Sequence, residues 1–305
     1  MMNENPSPNR GIKTKTILRY QYESVFGQGS ENLTEKTVVG YDRDGRKVKV
    51  SSSEKSGFYL YSGDWERYTD TFYQYDSNKN IVEEIQKIIE IDKSDGFTKN
   101  EYEVKTIYEY DSIGNRIGKI KYEDNVLDRK TIYKYDFMGN MDEKSYYDSN
   151  GNPTEDEDGF GISKYVYEYD SNGNKIGKLE YDSNGSLETK TIYKYDSNEN
   201  KVEESEYESD GSLSSKNIYE YDSNGNMVEE SNYNPEGSTD GKSFYEYDSI
   251  GNKIKEIHDS LIDGMKIKMG TSHLYDRENR LIEEREFGES QELLDGKTQY
   301  EYEKY

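Results

Sequence analysis

Residues 219–225 read Tyr219-Glu220-Tyr221-Asp222-Ser223-Asn224-Gly225. Asp at the first turn position accepts backbone N–H bonds, and Gly at the fourth supplies positive φ. Together they predict a type I turn closed by a bulge, the joint of a three-residue hairpin. The segment entering such a turn, for example Lys190-Thr191-Ile192-Tyr193-Lys194-Tyr195, is β-branched and aromatic and predicts a strand. Tyr-x-Tyr-Asp recurs at Tyr73, Tyr108, Tyr133, Tyr167, Tyr193, Tyr219 and Tyr245, the last four at intervals of 26 residues. Weaker copies stand at Tyr41-Asp42, His273-Leu274-Tyr275-Asp276 and Tyr300-Glu301-Tyr302-Glu303. A half-repeat lies between tetrads, at Tyr181-Asp182, Tyr207-Glu208 and Tyr233-Asn234. Each unit therefore reads strand, tight turn, strand, tight turn, and strands joined so tightly must be antiparallel neighbours.

The fold class expected is all-β: an antiparallel meander of tandem two-strand repeats, with about 18–20 strands in one long curled or spiral sheet. Composition agrees. The chain of 305 residues has no Cys and no Ala, and 32 of its residues are Tyr. Low aliphatic content with high charge ordinarily signals disorder, but each phenol ring can bury a large area while its hydroxyl stays wet. By segment, residues 1–16 are expected to be disordered, 17–72 to hold degenerate β-repeats, and 73–305 to form the repeat domain. Residues 152–163 (Pro153, then Glu155 to Asp158) predict an acidic, protruding loop. Residues 81–89 fit either a short amphipathic helix or a strand with extra residues, and alignment with Val202-Glu203-Glu204 favours the strand. Lys79 and Glu199 take the place of the turn Gly, so either a side chain accepts positive φ there or the turn changes type.

A three-residue register places Tyr195 across from about Asn200 and Tyr193 across from Val202. Leu213, Tyr219, Tyr221, Ile176, Leu187, Val228 and Ile254 then share one face, expected to be the inner one. Ile192, Ile218, Tyr181, Tyr207, Lys190, Lys194, Lys201 and Glu203 fall on the other.

The tetrads resemble the YD repeats of the bacterial RHS and wall-associated protein family, whose motif is Tyr-x-Tyr-Asp-x-x-Gly. The likeness is carried by Tyr108 to Gly114, Tyr133 to Gly139, Tyr167 to Gly173, Tyr219 to Gly225 and Tyr245 to Gly251. It implies an antiparallel sheet curling into a shell, which in that family can enclose a toxic C-terminal domain. The Asp-Pro-x-Gly segments that end the family's core are missing. A cell-surface or secreted location follows from the resemblance alone. Met1 to Lys15 show no apolar signal segment, so the residues by themselves leave a cytoplasmic location open.

Net charge is −24, with Lys and Arg interleaved among acids, which argues against nucleic acid and anionic lipid. No apolar run approaches the ~20 residues of a membrane-spanning helix. Two His and no Cys leave nucleophilic triads and His/Cys metal sites short of parts. His273 takes the place of a tetrad Tyr and reads as structural. His258, on a strand beside Asp259, is a poor prospect for a catalytic base. The Asp-x-Asn-Gly turns have Gly fourth rather than sixth, unlike an EF-hand loop, so no metal or cofactor is expected. The candidate ligand surface is the ladder Tyr169, Tyr195, Tyr221 and Tyr247, roughly 9–10 Å apart on alternate strands, on which a glycan or other extended ligand could stack. The function expected is a non-enzymatic β-repeat scaffold, structural or adhesive, binding glycan or protein. The alternative is a shell or accessory fragment of an RHS-type polymorphic toxin system.

Overall fold

A computed structural model describes residues 12–25, 28–55, 65–93, 98–262, 265–288 and 293–304. Described residues form twenty strands and no helix. The first seven are β1 (Ile12–Val25), β2 (Gln28–Tyr41), β3 (Lys47–Lys55), β4 (Trp65–Tyr75), β5 (Ile81–Asp92), β6 (Thr98–Tyr110) and β7 (Arg116–Glu123). Next come β8 (Val126–Tyr135), β9 (Met141–Asp148), β10 (Ile162–Tyr169), β11 (Lys175–Asp182), β12 (Leu187–Tyr195), β13 (Lys201–Glu208) and β14 (Leu213–Tyr221). The last are β15 (Met227–Tyr233), β16 (Thr239–Tyr247), β17 (Lys253–Ile262), β18 (Met265–Tyr275), β19 (Leu281–Phe287) and β20 (Leu293–Lys304). Residues 81–89 are strand, as the alignment favoured.

The meander expected from the turns is present, but it is not an open ribbon or spiral. β1 pairs antiparallel with β2 on one side and with β20 on the other, Thr16 opposite Glu301 and Leu18 opposite Gln299. The meander thereby returns to its first strand, and the sheet closes on itself through β1. An open ribbon would leave a row of unpaired N–H and C=O groups along each outer strand, and closure removes both rows. β1 begins at Ile12, so residues 12–16 are strand and not disordered. Residues 1–11 lie outside the described residues.

Packing divides the chain into two units. One comprises Met1–Ile107, Lys121–Val126 and Ser272–Tyr305, and the other Tyr108–Ile120 and Leu127–Thr271. β4 runs through the expected boundary at 72/73. In the first unit, Val39 and Tyr41 are buried against Val50 and Tyr302. In the second, the buried apolar side chains are Tyr146, Ile162, Tyr193 and Tyr219. Thin cores of this kind place the weight of stability on neighbouring strands.

The turns have the expected chemistry. Asp170 Oδ1 accepts from the backbone N–H groups of Asn172 and Asn174, each at 2.9 Å, and the Gly173 N–H returns to the Asp170 carbonyl at 3.1 Å. Gly173 has φ 88°. Glu199 and Lys79 adopt the same left-handed conformation at φ 65° and 72°, so the turn keeps its type and the side chain accepts the strain. β7 and β8 are joined differently, by Asp124 and Asn125 with φ 47° and 63°, the signature of a two-residue type I′ hairpin.

The register departs from expectation by a second bulge. Tyr195 faces Lys201 rather than Asn200, and Tyr193 faces Glu204 rather than Val202. Val202 is the extra residue, and Ile176, Val228 and Ile254 are skipped likewise after their turns. A bulge sets two residues against one. It therefore turns Lys201, expected on the opposite face, toward the rings.

Candidate functional site

The tyrosine-bearing face is built from one element repeated. The second tyrosine of the ladder tetrads donates its hydroxyl to a backbone carbonyl at the start of the preceding strand. Tyr169 bonds Met141, Tyr195 bonds Lys175, Tyr221 bonds Lys201 and Tyr247 bonds Met227, all at 2.8–2.9 Å. Each accepting residue is the one that pairs with the preceding tyrosine of the row, as Lys175 does with Tyr169 and Lys201 with Tyr195. The four ladder residues are thus brought into one series, and their hydroxyls tie strands together. Burial raises the phenol pKa of all four.

The first tyrosine of the tetrads from Tyr108 to Tyr245 meets a cation. Lys175 Nζ lies 5.1 Å from the ring centre of Tyr167 and 5.3 Å from that of Tyr193. Lys201 lies 4.4 Å from Tyr219 and 5.7 Å from Tyr193. Arg116 covers Tyr108 at 5.2 Å and Tyr133 at 5.6 Å. These distances suit cation–π attraction. Sequence reasoning missed this alternation, although its signal was present: Arg116, Lys175, Lys201 and Lys253 all follow the turn's Gly-Asn or Glu-Asn.

Opposite the first tyrosine stands a charged residue that changes sign along the chain. It is Glu204 opposite Tyr193, Glu230 opposite Tyr219 and Glu256 opposite Tyr245. Tyr219 donates to Glu204 at 3.2 Å, and Lys201 pairs with the same carboxylate at 2.6 Å. Two earlier repeats carry lysine there instead, Lys144 opposite Tyr133 and Lys178 opposite Tyr167.

The acidic insertion answers that change. Residues 152–163 are exposed over most of their length, but they do not simply protrude. Asp156 is only 3% exposed, and it accepts the Tyr165 hydroxyl at 2.5 Å and the Phe160 N–H at 3.2 Å. Thr154 N–H bonds the Tyr146 carbonyl at 3.1 Å, and Glu157 pairs with Lys119 at 2.5 Å. Burial, then the hydrogen bond to Asp156, drives the Tyr165 pKa far up. Burial lowers Lys144, while Glu157, Asp156 and Asp158 pull it back toward its charged form.

Beside the insertion, an open recess of about 490 Å³ is lined by Arg116, Lys144, Tyr110, Tyr133, Tyr135 and Tyr167, among others. In the first unit, a second recess of about 620 Å³ is lined by Ser51, Ser52, Ser53, Lys36, Lys87 and Asp70, among others.

The structure places each histidine in a side-chain clasp. His273 Nε2 lies 3.3 Å from Glu284. His258 joins a chain that sequence reasoning did not foresee: Ser243 Oγ is 2.9 Å from its Nδ1, and Glu256 is 2.9 Å from its Nε2. Serine, histidine and glutamate suggest nucleophilic catalysis, but acyl transfer also needs convergent N–H donors for the oxyanion. Ser243 is buried in β16, with β15 paired on one side and β17 on the other, so the surrounding amides serve the ladder. The chain reads as a cross-strand clasp. Among the described residues, no group of three or more His, Asp or Glu is placed to hold a metal ion.

No family model and no curated protein matches the chain. Among solved structures it is similar to the TcdB2-TccC3-Cdc42 complex at 13% identity and a TM-score of 0.41, covering 88% of this chain and 16% of that one. It is similar to the Photorhabdus luminescens Tc holotoxin pore at 14% identity and a TM-score of 0.39, covering 92% and 14%. A porin-like protein from Bacteroides uniformis aligns at 9% identity and a TM-score of 0.43, covering 97% of this chain and 100% of that one. The chain thus spans about a sixth of the length of the toxin chains it matches.

Proposed function

We propose that this protein is a non-enzymatic β-repeat scaffold with a structural or adhesive role. The observation that carries the reading is the ladder itself: Tyr169, Tyr195, Tyr221 and Tyr247 each spend the hydroxyl on a backbone carbonyl of the preceding strand. Groups committed in this way hold a surface in shape. The ring faces of these four remain the contact for an extended ligand, a glycan or a protein segment, and placement at a bacterial surface draws on the Tyr-x-Tyr-Asp-x-x-Gly resemblance. The toxin-shell alternative draws on the same resemblance and on β1–β20 closure; a nuclease or immunity gene beside this one favours it, and a surface-anchor gene favours adhesion.

A lipid-spanning barrel is a poorer reading. Charged residues occupy mid-strand positions on both faces, Glu203 and Lys216 on one and Glu204 and Glu206 on the other. A lysine or arginine facing lipid at the bilayer midplane costs about 2–4 kcal/mol. A soluble glycan array with wild-type protein and Tyr221→Ala tests the ladder. Loss of a bound glycan on substitution supports it, and binding that survives removes the ladder from the site.

A further inference from the structure

In a chain of net charge −24, one stretch of the tyrosine face is cationic. Lys144 and Lys178 replace the carboxylates that stand opposite the first tyrosine in later repeats. Arg116 and Lys175 lie over the rings of Tyr133 and Tyr167, and Lys119 reaches Glu157 of the insertion. The segment that folds down on this stretch is the most acidic in the neighbourhood, Glu155-Asp156-Glu157-Asp158. It seats one carboxylate on the Tyr165 hydroxyl and another on Lys119. It satisfies only part of the positive charge. Among the described residues neither Arg116 nor Lys144 has a carboxylate within ion-pair distance, and both line the open recess beside the insertion.

We infer that this recess binds an acidic peptide segment of a partner protein, and that residues 152–163 act as a tethered competitor for it. The inference rests on the scaffold reading above and gives one stretch of that scaffold a ligand. Peptide is favoured over sugar here for two reasons. The occupant already seated on the adjoining stretch is a run of peptide carboxylates. In addition, Arg116 covers the Tyr133 ring and Lys175 the Tyr167 ring, which leaves those faces unsuited to a stacked pyranose. The chain's overall negative charge does not forbid it, because interactions beyond ~8 Å are screened at physiological salt. Local contacts then decide.

The test uses the full chain and a fluorescein-labelled ten-residue peptide of alternating Glu and Asp, read by anisotropy. The matching Gln/Asn peptide and an oligogalacturonate of equal charge serve as controls. The acidic peptide is expected to bind saturably and more weakly as salt rises. Arg116→Glu and Lys144→Glu should each weaken it at least about tenfold, while Asp156→Asn with Glu157→Gln should tighten it several-fold by unseating the competitor. Strand circular dichroism at the wild-type level confirms that each variant is folded. Equal binding of the Gln/Asn peptide, indifference to both charge reversals, or tighter binding of the oligogalacturonate would each overturn the inference. Tyr221→Ala should leave peptide binding intact, so failure here and failure of the ladder are separately visible.

Discussion

The Tyr195 hydroxyl donates to the Lys175 backbone carbonyl at 2.8 Å, and Lys175 is the residue that faces Tyr169 across the turn between β10 and β11. Each tyrosine therefore reaches back into the hairpin that carries its predecessor. The bond ties β12 to its neighbour β11, so it adds a side-chain link to the backbone ladder between the two strands. Repeats of this kind share stability with their neighbours, as in linear repeat arrays.

Removing one such hydroxyl isolates the link. Tyr195→Phe, Tyr221→Phe and Tyr247→Phe should each lower stability by about 1 kcal/mol, the ordinary value of a hydrogen bond of this type. Urea unfolding measures it. The ring and its packing remain, so a loss several times larger, or none at all in three variants, would remove the hydroxyl from the account.

Glu199 offers a gain instead. Its φ of 65° is one that glycine adopts freely, and the equivalent turns at Gly173 and Gly225 use glycine at 88° and 84°. A left-handed conformation costs a side-chain-bearing residue about 1–2 kcal/mol. Glu199→Gly should therefore raise the melting temperature, after the loss of some chain entropy is counted. Gly173→Ala should lower it. A fall in the first variant would mean that the Glu199 side chain contributes something the turn geometry does not explain.

These two cases show what the sequence makes legible. Tyr-Asp-x-x-Gly announces a turn because both its requirements, an acceptor at the first position and positive φ at the fourth, are local. The strands follow from the turns. β1–β20 pairing is different in kind, since it joins Leu18 to Gln299 across nearly the whole chain, with no turn between the two strands to announce it. The bulge at Val202 was hidden for another reason: one extra residue leaves composition and periodicity unchanged while shifting Lys201 onto the ring-bearing face. Asp156 was hidden most completely, because an acidic run reads as solvated unless a basic patch elsewhere in the fold, here Lys119 and Lys144, comes to meet it.

The turn aspartates predict acid lability. The Asn174 side-chain amide beside Asp170, and that of Asn200 beside Asp196, hold these carboxyls below their usual range. An aspartate in the unfolded chain titrates near about 3.9, so this stabilisation is fully present above that pH. It is lost as pH falls through the lower folded values. Many turns repeat the arrangement, so melting temperature should drop steeply below about pH 4. Asp170→Asn keeps an oxygen acceptor, as Asn234 does for the Ser238 N–H at 2.9 Å. The variant should be slightly weaker at neutral pH and should converge with wild type in acid. A constant difference across the whole range would contradict the assignment.

At the alkaline end the tyrosines take over. Burial, with nearby groups second, pushes Tyr167, Tyr193 and Tyr245 up to about 12. A free phenol ionises near about 10, and the phenol is neutral when protonated. Raising its pKa in the folded state therefore adds stability that is complete below about 10 and disappears as pH climbs through the folded values. Phenolate absorbance should accordingly rise in two stages. Exposed rings ionise first and reversibly, and the tetrad rings follow together with loss of strand circular dichroism. Tyr193→Phe removes one titrating group without removing its ring, and it should shift the alkaline midpoint upward. If all 32 tyrosines ionise in a single stage near their ordinary value while the strands persist, the rings are not buried in the rows described.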